Sequence, residues 1–339
     1  MVLDVHGRPL HSLRLSVTDR CNLRCAYCMP EDEYAWLARE ALLDGDELAL
    51  VVAAFARLGV RRLRLTGGEP LLRPDLPALV ARLRAAAPLE EVALTTNGAA
   101  LAAHAAALAE AGIDRFTVSL DTLRPERFRA LTRRDALADV LAGIDAARST
   151  GRPELKLDCV VVRGVNDDEL LPLLGYARAV GAELRFIEYM DVGGATRWSR
   201  EAVVSRAEIV AAIEAARGVA RPEPRDAAPA ERFTLPDGQR FGVVASVTAP
   251  FCGRCDRARL TADGTFLTCL YATSGLELRG LVRAGADADA LAAHVADAWR
   301  ARRDRGAEDR VAVGEMRSPL VELKALRRDP RLEMHTRGG

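Results

Sequence analysis

Short stretches in which apolar and polar residues alternate punctuate the chain, and longer stretches with helical spacing separate them. The alternating stretches are Leu13–Thr18, Val60–Thr66, Glu91–Thr96, Arg115–Leu120, Leu155–Val162 and Leu184–Met190. Helical patterns run over Glu47–Leu58, Leu76–Ala86, Ala99–Ala111, Ala136–Thr150 and Asp168–Val180. Gly59, Gly112, Gly151 and Gly181 fall just past helix ends, where a left-handed cap residue is favoured. Six β-then-α units in a row predict parallel strands joined by right-handed crossovers. An open doubly wound sheet and a barrel both satisfy that order.

The phase within the strands favours a barrel. Leu13, Leu15 and Val17 oppose Arg14, Ser16 and Thr18; Leu63 and Leu65 oppose Arg62, Arg64 and Thr66. Phe116, Val118 and Leu120 oppose Arg115, Thr117 and Ser119, while Leu155, Leu157, Cys159 and Val161 oppose Lys156 and Asp158. Strands covered by helices on both faces read as continuously apolar. Here one face is set to pack on helices and the other to line a wet interior. That interior phase carries Arg14, Arg64, Lys156 and Arg185. Buried cations need an anion, either a ligand or acidic neighbours such as Asp158.

After Asp191 the β/α rhythm stops. Gly193-Gly194 opens a loop, Ser205–Arg217 has helical spacing, and Arg221–Pro229 has the composition of a linker. Arg232–Thr234, Gln239–Thr248 and Ala258–Leu270 read as antiparallel strands, with turns at Asp237-Gly238 and Asp263-Gly264. The expected fold is α/β: an incomplete (βα)6-type TIM barrel of parallel strands, closed by a C-terminal antiparallel sheet region. It divides into a partial barrel over 1–220 and a C-terminal region over 221–339.

Charge and length narrow the choice of partners. The 339 residues hold 48 Lys+Arg and 48 Asp+Glu, a net charge of zero. A broad nucleic-acid or membrane surface normally carries excess positive charge. No run approaches the ~20 apolar residues of a membrane span, and Met1-Val2-Leu3-Asp4 lacks the features of a signal peptide. The seven cysteines divide three, one and three: Cys21, Cys25, Cys28; Cys159; Cys252, Cys255, Cys269. An odd number in two tight groups predicts metal binding in a reducing, cytoplasmic setting, not disulfides. Cys159 sits in the helix-facing phase and reads as a core residue.

In parallel α/β folds, function gathers where strands end. The C-x3-C-x2-C run from Cys21 to Cys28 follows the first strand. Three thiolates at this spacing hold three irons of a four-iron cluster and leave one iron open. Zinc is the competing metal, but it prefers four ligands. Gly67-Gly68-Glu69-Pro70 ends the second strand; its glycines permit close backbone approach, and Glu69 offers a carboxylate to an ammonium. Thr95-Thr96-Asn97-Gly98 ends the third, Ser119 the fourth and Met190 the sixth, though Met190 is ambiguous in phase and on its own reads rather as core. A second triad, Cys252, Cys255 and Cys269, again leaves a position open, with His294 or Asp256 as fourth ligand if the metal is zinc. In Arg257-Ala258-Arg259 two guanidiniums on an extended segment point the same way and suit a phosphate or purine.

The first triad, with Tyr27 just before its last cysteine, resembles the signature of radical S-adenosylmethionine (SAM) enzymes. The C-x2-C-x13-C triad with Arg-x-Arg narrows the resemblance to the GTP 3′,8-cyclases of molybdenum cofactor synthesis. So do Thr18–Asn22, Thr66–Pro70, Thr95–Gly98, Val118–Asp121, Arg185–Glu188 and the terminal Gly338-Gly339. That resemblance implies two [4Fe-4S] clusters, one on Cys21, Cys25 and Cys28 and the other on Cys252, Cys255 and Cys269. It implies SAM contacts from Tyr27, Gly67, Gly68, Glu69, Ser119 and Met190. GTP would meet Arg14, Arg64, Thr95, Lys156, Arg257, Ala258 and Arg259, with Arg14 also acting near the reacting centre. It further implies a one-electron donor, a downstream synthase that takes the product, and a C-terminal tail inserted into the site. Arg337 departs from the apolar residue usual before the glycine pair. Rivals are a radical SAM peptide-modifying enzyme and a zinc-dependent nucleic-acid-binding module; monomer and homodimer both stay open.

Overall fold

The computed structural model describes residues 1–338. Six β-then-α units open the chain: β1 Ser12–Ser16, α1 Gly45–Arg57, β2 Arg62–Thr66, α2 Leu76–Ala86, β3 Glu91–Thr96, α3 Leu101–Ala111, β4 Arg115–Ser119, α4 Pro125–Thr132, α5 Leu137–Ser149, β5 Glu154–Val161, α6 Leu170–Ala179 and β6 Glu183–Glu188. Strands β1 to β6 lie side by side in chain order, every pair parallel. Local chemistry sets the helix starts: the Asp44 carboxylate accepts from the amides of Asp46 and Glu47, and Glu47 returns a bond to the Asp44 amide.

The apolar phase of each strand packs on the helices, as the alternation predicts. Leu13, Leu15, Leu63, Leu65, Phe116, Val118, Leu157 and Cys159 join Phe55, Leu79, Leu108, Ile144 and Leu173 in one buried core. The opposite phase faces the interior.

The C-terminal strands do not form one antiparallel region across the gap. They are β7 Arg221–Pro222, β8 Glu231–Thr234, β9 Arg240–Val244, β10 Arg257–Leu260, β11 Thr265–Leu267 and β12 Leu276–Glu277. β9 joins β6 in parallel, and β8 and β7 continue antiparallel beyond it. β10 joins the other edge, parallel to β1, with β11 and β12 antiparallel beyond. The twelve strands make one sheet from β12 to β7, so the barrel stays incomplete with both edges extended. Arg221–Pro222, expected as linker, is a strand of that sheet.

Helices α7 Arg206–Arg217, α8 Arg279–Arg283, α9 Ala288–Arg300, α10 Gly306–Ala312, α11 Leu323–Arg328 and α12 Met334–Arg337 complete the chain. Asp191, just past β6, is fully buried and accepts from Arg310 Nε at 2.7 Å and Arg317 Nη2 at 2.7 Å. This ties the barrel to the C-terminal segment. Burial alone would raise the Asp191 carboxyl, but the two guanidiniums bring it below its ordinary value.

Phe55 on α1 meets Phe266 on β11 edge to face, with ring centroids 5.3 Å apart. Phe55→Ala is expected to cost about 3–5 kcal/mol, read as a lower denaturation midpoint with an unchanged slope.

Candidate functional site

The loop carrying the first triad is fixed before any ligand binds. The Cys28 and Met29 amides donate to the Cys25 carbonyl at 3.0 and 2.7 Å, closing a tight turn. The Arg24 and Ala26 amides donate to the carbonyls of Thr132 and Leu131, which docks the loop on the end of α4. Arg24 Nη1 also grips the carbonyls of Cys21 and Leu23 at 3.0 and 2.9 Å. From the second strand end, the Gly68 amide donates to Thr18 O at 2.9 Å and the Glu69 amide to Arg20 O at 2.7 Å. A Cβ on Gly67 would overlap Thr18 O, and one on Gly68 would overlap Arg20 O. The two glycines thus bring their loop against the cysteine loop itself as well as lining the cavity.

The second triad is held from behind. Arg8 Nη1 donates to the Cys252 carbonyl at 3.0 Å and Arg302 Nη1 to the Cys255 carbonyl at 2.9 Å. The candidate fourth zinc ligands are elsewhere: His294 is exposed on α9, and the Asp256 carboxylate accepts from the Ser12 hydroxyl at 3.1 Å.

Both triads line one cavity. Cys21, Cys25 and Cys28 share its wall with Cys252, Cys255 and Cys269, and the space between carries Arg14, Thr95, Ser119, Met190, Arg257 and Arg259. Tyr27 lines it too, its hydroxyl donating to Asp121 Oδ2 at 2.6 Å. Burial pushes the Cys21 and Cys269 thiols up to about 11, and Cys25 and Cys28 upward as well. At Cys255 burial acts the same way, but Arg257 and Arg302 overcome it and bring the thiol down to about 7. A metal taking these sulfurs as thiolate ligands would offset that penalty. Among the described residues, no group of three or more His, Cys, Asp or Glu side chains converges on a single-ion position. A cluster would give each thiolate its own iron, so it does not require the three sulfurs of a triad to meet at one ion.

The guanidiniums crowd one another. Arg14 is held well below its ordinary value by burial and then by Arg259 and Arg257; Arg64 by burial, then Arg14 and Arg185. Burial and Arg257 bring Arg259 down to about 10. Two buried donors in this wall, Arg257 Nη1 and Arg185 Nη2, have no hydrogen-bond partner among the described residues.

Four expected site residues stand outside the cavity wall. Glu69 is fully buried, and its carboxylate accepts from the Leu71 amide (3.0 Å), Thr96 Oγ1 (2.6 Å) and the Asn97 amide (2.7 Å). These bonds join two strand ends and hold the side chain outside the cavity wall; burial raises it to about 7. Lys156 is neutralised within the sheet by Glu183 (3.3 Å) and Glu154 (3.2 Å), as Arg185 is by Asp158 (2.7 Å). For these two the acidic-neighbour explanation holds, because Glu183 is the cross-strand partner of Lys156. Arg64 donates to Thr95 Oγ1 at 3.3 Å behind the wall. The Ala258 side chain lies in the helix-facing core, opposite in phase to its arginine neighbours.

Arg259 has a second role. Its Nη1 donates to the carbonyls of Arg337 (3.0 Å) and Gly338 (2.7 Å), so the tail runs into the site. Arg337 fits by turning back: Nε reaches Arg331 O and Nη1 reaches Leu270 O, both at 2.9 Å. Gly339, the other half of the expected pair, lies outside the described residues. Wall residues given no role from sequence include Asp121 and His335. The interior phase of β4, running Thr117, Ser119, Asp121, was the available signal for Asp121.

The sequence model of the Radical SAM superfamily matches residues 15–177, and that of Molybdenum Cofactor Synthesis C matches residues 182–308. GTP 3′,8-cyclase 1 of Mycobacterium tuberculosis is 52% identical over all of this chain and 95% of its own length. The chain belongs to the GTP 3′,8-cyclase family. A GTP 3′,8-cyclase of Acidothermus cellulolyticus is 48% identical over 91% of this chain and 88% of its own. The crystal structure of Streptococcus suis SuiB bound to S-adenosylmethionine shares the fold, with a TM-score of 0.60 at 14% identity over 93% of this chain and 76% of that one. As a family member the chain is a lyase of molybdenum cofactor synthesis, and its superfamily uses SAM with an iron–sulfur cluster.

Gly68→Ala is expected to displace the first cysteine loop. Iron per protein after anaerobic reconstitution should fall by about half while the second site still loads; full iron content would show that the loop tolerates the methyl.

Proposed function

We propose that this chain converts GTP to 3′,8-cyclo-7,8-dihydroguanosine 5′-triphosphate, using two [4Fe-4S] clusters. The observation that carries this reading is the single chamber holding two incomplete cysteine triads and a set of crowded guanidiniums. Cys21, Cys25 and Cys28 would hold a cluster that, with SAM bound, would supply a 5′-deoxyadenosyl radical able to take a hydrogen atom. That atom leaves ribose C3′ of GTP, C3′ bonds to guanine C8, and one electron and one proton complete the dihydroguanine. The product is an isomer of GTP, and two electrons are consumed: one to cleave SAM, one to reduce the cyclised nucleotide.

The protein's own part is placement and shielding. Arg257, with Nη1 unpartnered, and Arg14 are the cations on which the triphosphate settles, relieving their mutual repulsion. Arg14, which lines the chamber, would also act beside the reacting centre. Tyr27, Gly67, Gly68, Ser119 and Met190 line the first-triad end, where SAM would sit. Cys252, Cys255 and Cys269 would hold the second cluster at the guanine end. An external one-electron donor supplies the electrons, and a separate synthase turns the product into a pterin. A nucleic-acid module would display its second triad outward, whereas here that triad faces an interior wall.

Anaerobic reconstitution followed by incubation with SAM, GTP and reductant should yield 5′-deoxyadenosine and a nucleotide of GTP's mass with altered chromatography. Recovery of GTP alone, alongside 5′-deoxyadenosine, would reject the substrate. Cys28→Ala is expected to abolish 5′-deoxyadenosine formation; its persistence would reject the cluster assignment. Arg257→Ala should weaken GTP binding by about 1–3 kcal/mol in a calorimetric titration, and unchanged affinity would count against the phosphate role.

A further inference from the structure

His335 is an unusual buried residue. It is 1% exposed, lines the cavity, and neither ring nitrogen has a hydrogen-bond partner among the described residues. An imidazole buried without partners carries a desolvation cost that packing alone does not return. Its surroundings fix where the ring stands. Tyr34 and Trp36, from the segment following the first triad, meet it edge-on with centroids 5.4 and 5.2 Å away. Arg24, inside the triad, stacks over both aromatics, and its charge acts on the ring. Two residues earlier, the Glu333 carboxylate lies against Gly194 next to the Cys28 carbonyl. The ring therefore belongs to the Cys21–Cys28 end of the chamber, not the Cys252–Cys269 end.

The tail is also held independently of that ring. Ser16 Oγ donates to Thr336 O at 3.0 Å, and Arg259 takes the next two carbonyls. A histidine needed only to anchor the segment would be redundant with these bonds.

We propose that His335 is a cofactor-binding residue, its imidazole making a direct hydrogen bond to SAM on the first triad. This rests on the SAM reading of that triad above. Burial and the Arg24 charge push the ring down to about 3, so it meets SAM as a neutral group, one nitrogen donating and the other accepting. The tail then completes the SAM pocket as well as the GTP side. SAM binding and tail docking are thereby coupled, each favouring the other.

The test uses the reconstituted full chain without reductant, with SAM and GTP dissociation constants measured separately by equilibrium dialysis. His335→Phe keeps a flat ring and removes both nitrogens; His335→Gln keeps a donor and an acceptor. The expected result is a SAM constant raised at least tenfold in the Phe variant and less than threefold in the Gln variant, with GTP within twofold in both. The cluster's electron paramagnetic resonance shift on SAM addition should weaken in the Phe variant alone. Three outcomes overturn the proposal: SAM binding within twofold in both variants, an equal loss in both, or a change confined to GTP. The expected pattern in the two variants, with a wild-type chain that forms no cyclised nucleotide once reductant is added, would instead reject the reaction above and leave His335 assigned.

Discussion

Packing several guanidiniums into one interior chamber is the constraint on which the rest depends. Arg14, Arg64 and Arg259 are each made less willing to stay charged by burial and by one another. Such a set is stable only where carboxylates, carbonyls or a bound anion answer it. The protein answers part of it internally: Asp158 takes Arg185, Glu183 and Glu154 take Lys156, and the tail carbonyls take Arg259. Arg257 Nη1 is left to a ligand. The cationic lining is thus answered unevenly: Arg185, Lys156 and Arg259 have acidic or carbonyl partners, while Arg257 beside the second triad keeps an unpartnered donor.

The thiols pose the complementary problem. Partly buried thiols without metal prefer to stay protonated, and six of them, on three segments of the chain, line the same space. Their backbone carbonyls are occupied by Arg24, Arg8 and Arg302, so the loops keep their shape independently of what the sulfurs bind. Arg302 and Arg257 also ease Cys255 toward thiolate. The same residue type therefore steadies loop backbone, tunes a thiol and lines the substrate end.

Much of this was legible in the chain itself, because period-2 alternation states which side of a strand faces inward. The phase of β1, β4 and β5 placed Arg14, Ser119 and the core Cys159 correctly. What alternation does not encode is who pairs with whom. Lys156 is satisfied by Glu183 only through the β5–β6 register, and Glu69 is engaged through bonds to the next strand end. Arg259 meets a carbonyl 79 positions away. Helix α4 was passed over because eight residues with three buried side chains carry too little periodic signal; α11 and α12, at six and four residues, carry less. The split of the C-terminal strands between two edges is likewise a long-range choice, and the hairpin turns alone are silent on it.

The manner in which Arg259 holds the tail has an evolutionary corollary. It clasps main-chain oxygens, a feature shared by every amino acid, so the latch is blind to the identity of position 337. Arg337 lodges there by folding back on Arg331 and Leu270, and an apolar neighbour would leave the same latch intact. Selection should press instead on position 338, where Thr66 and Ser16 leave no volume for even one extra carbon.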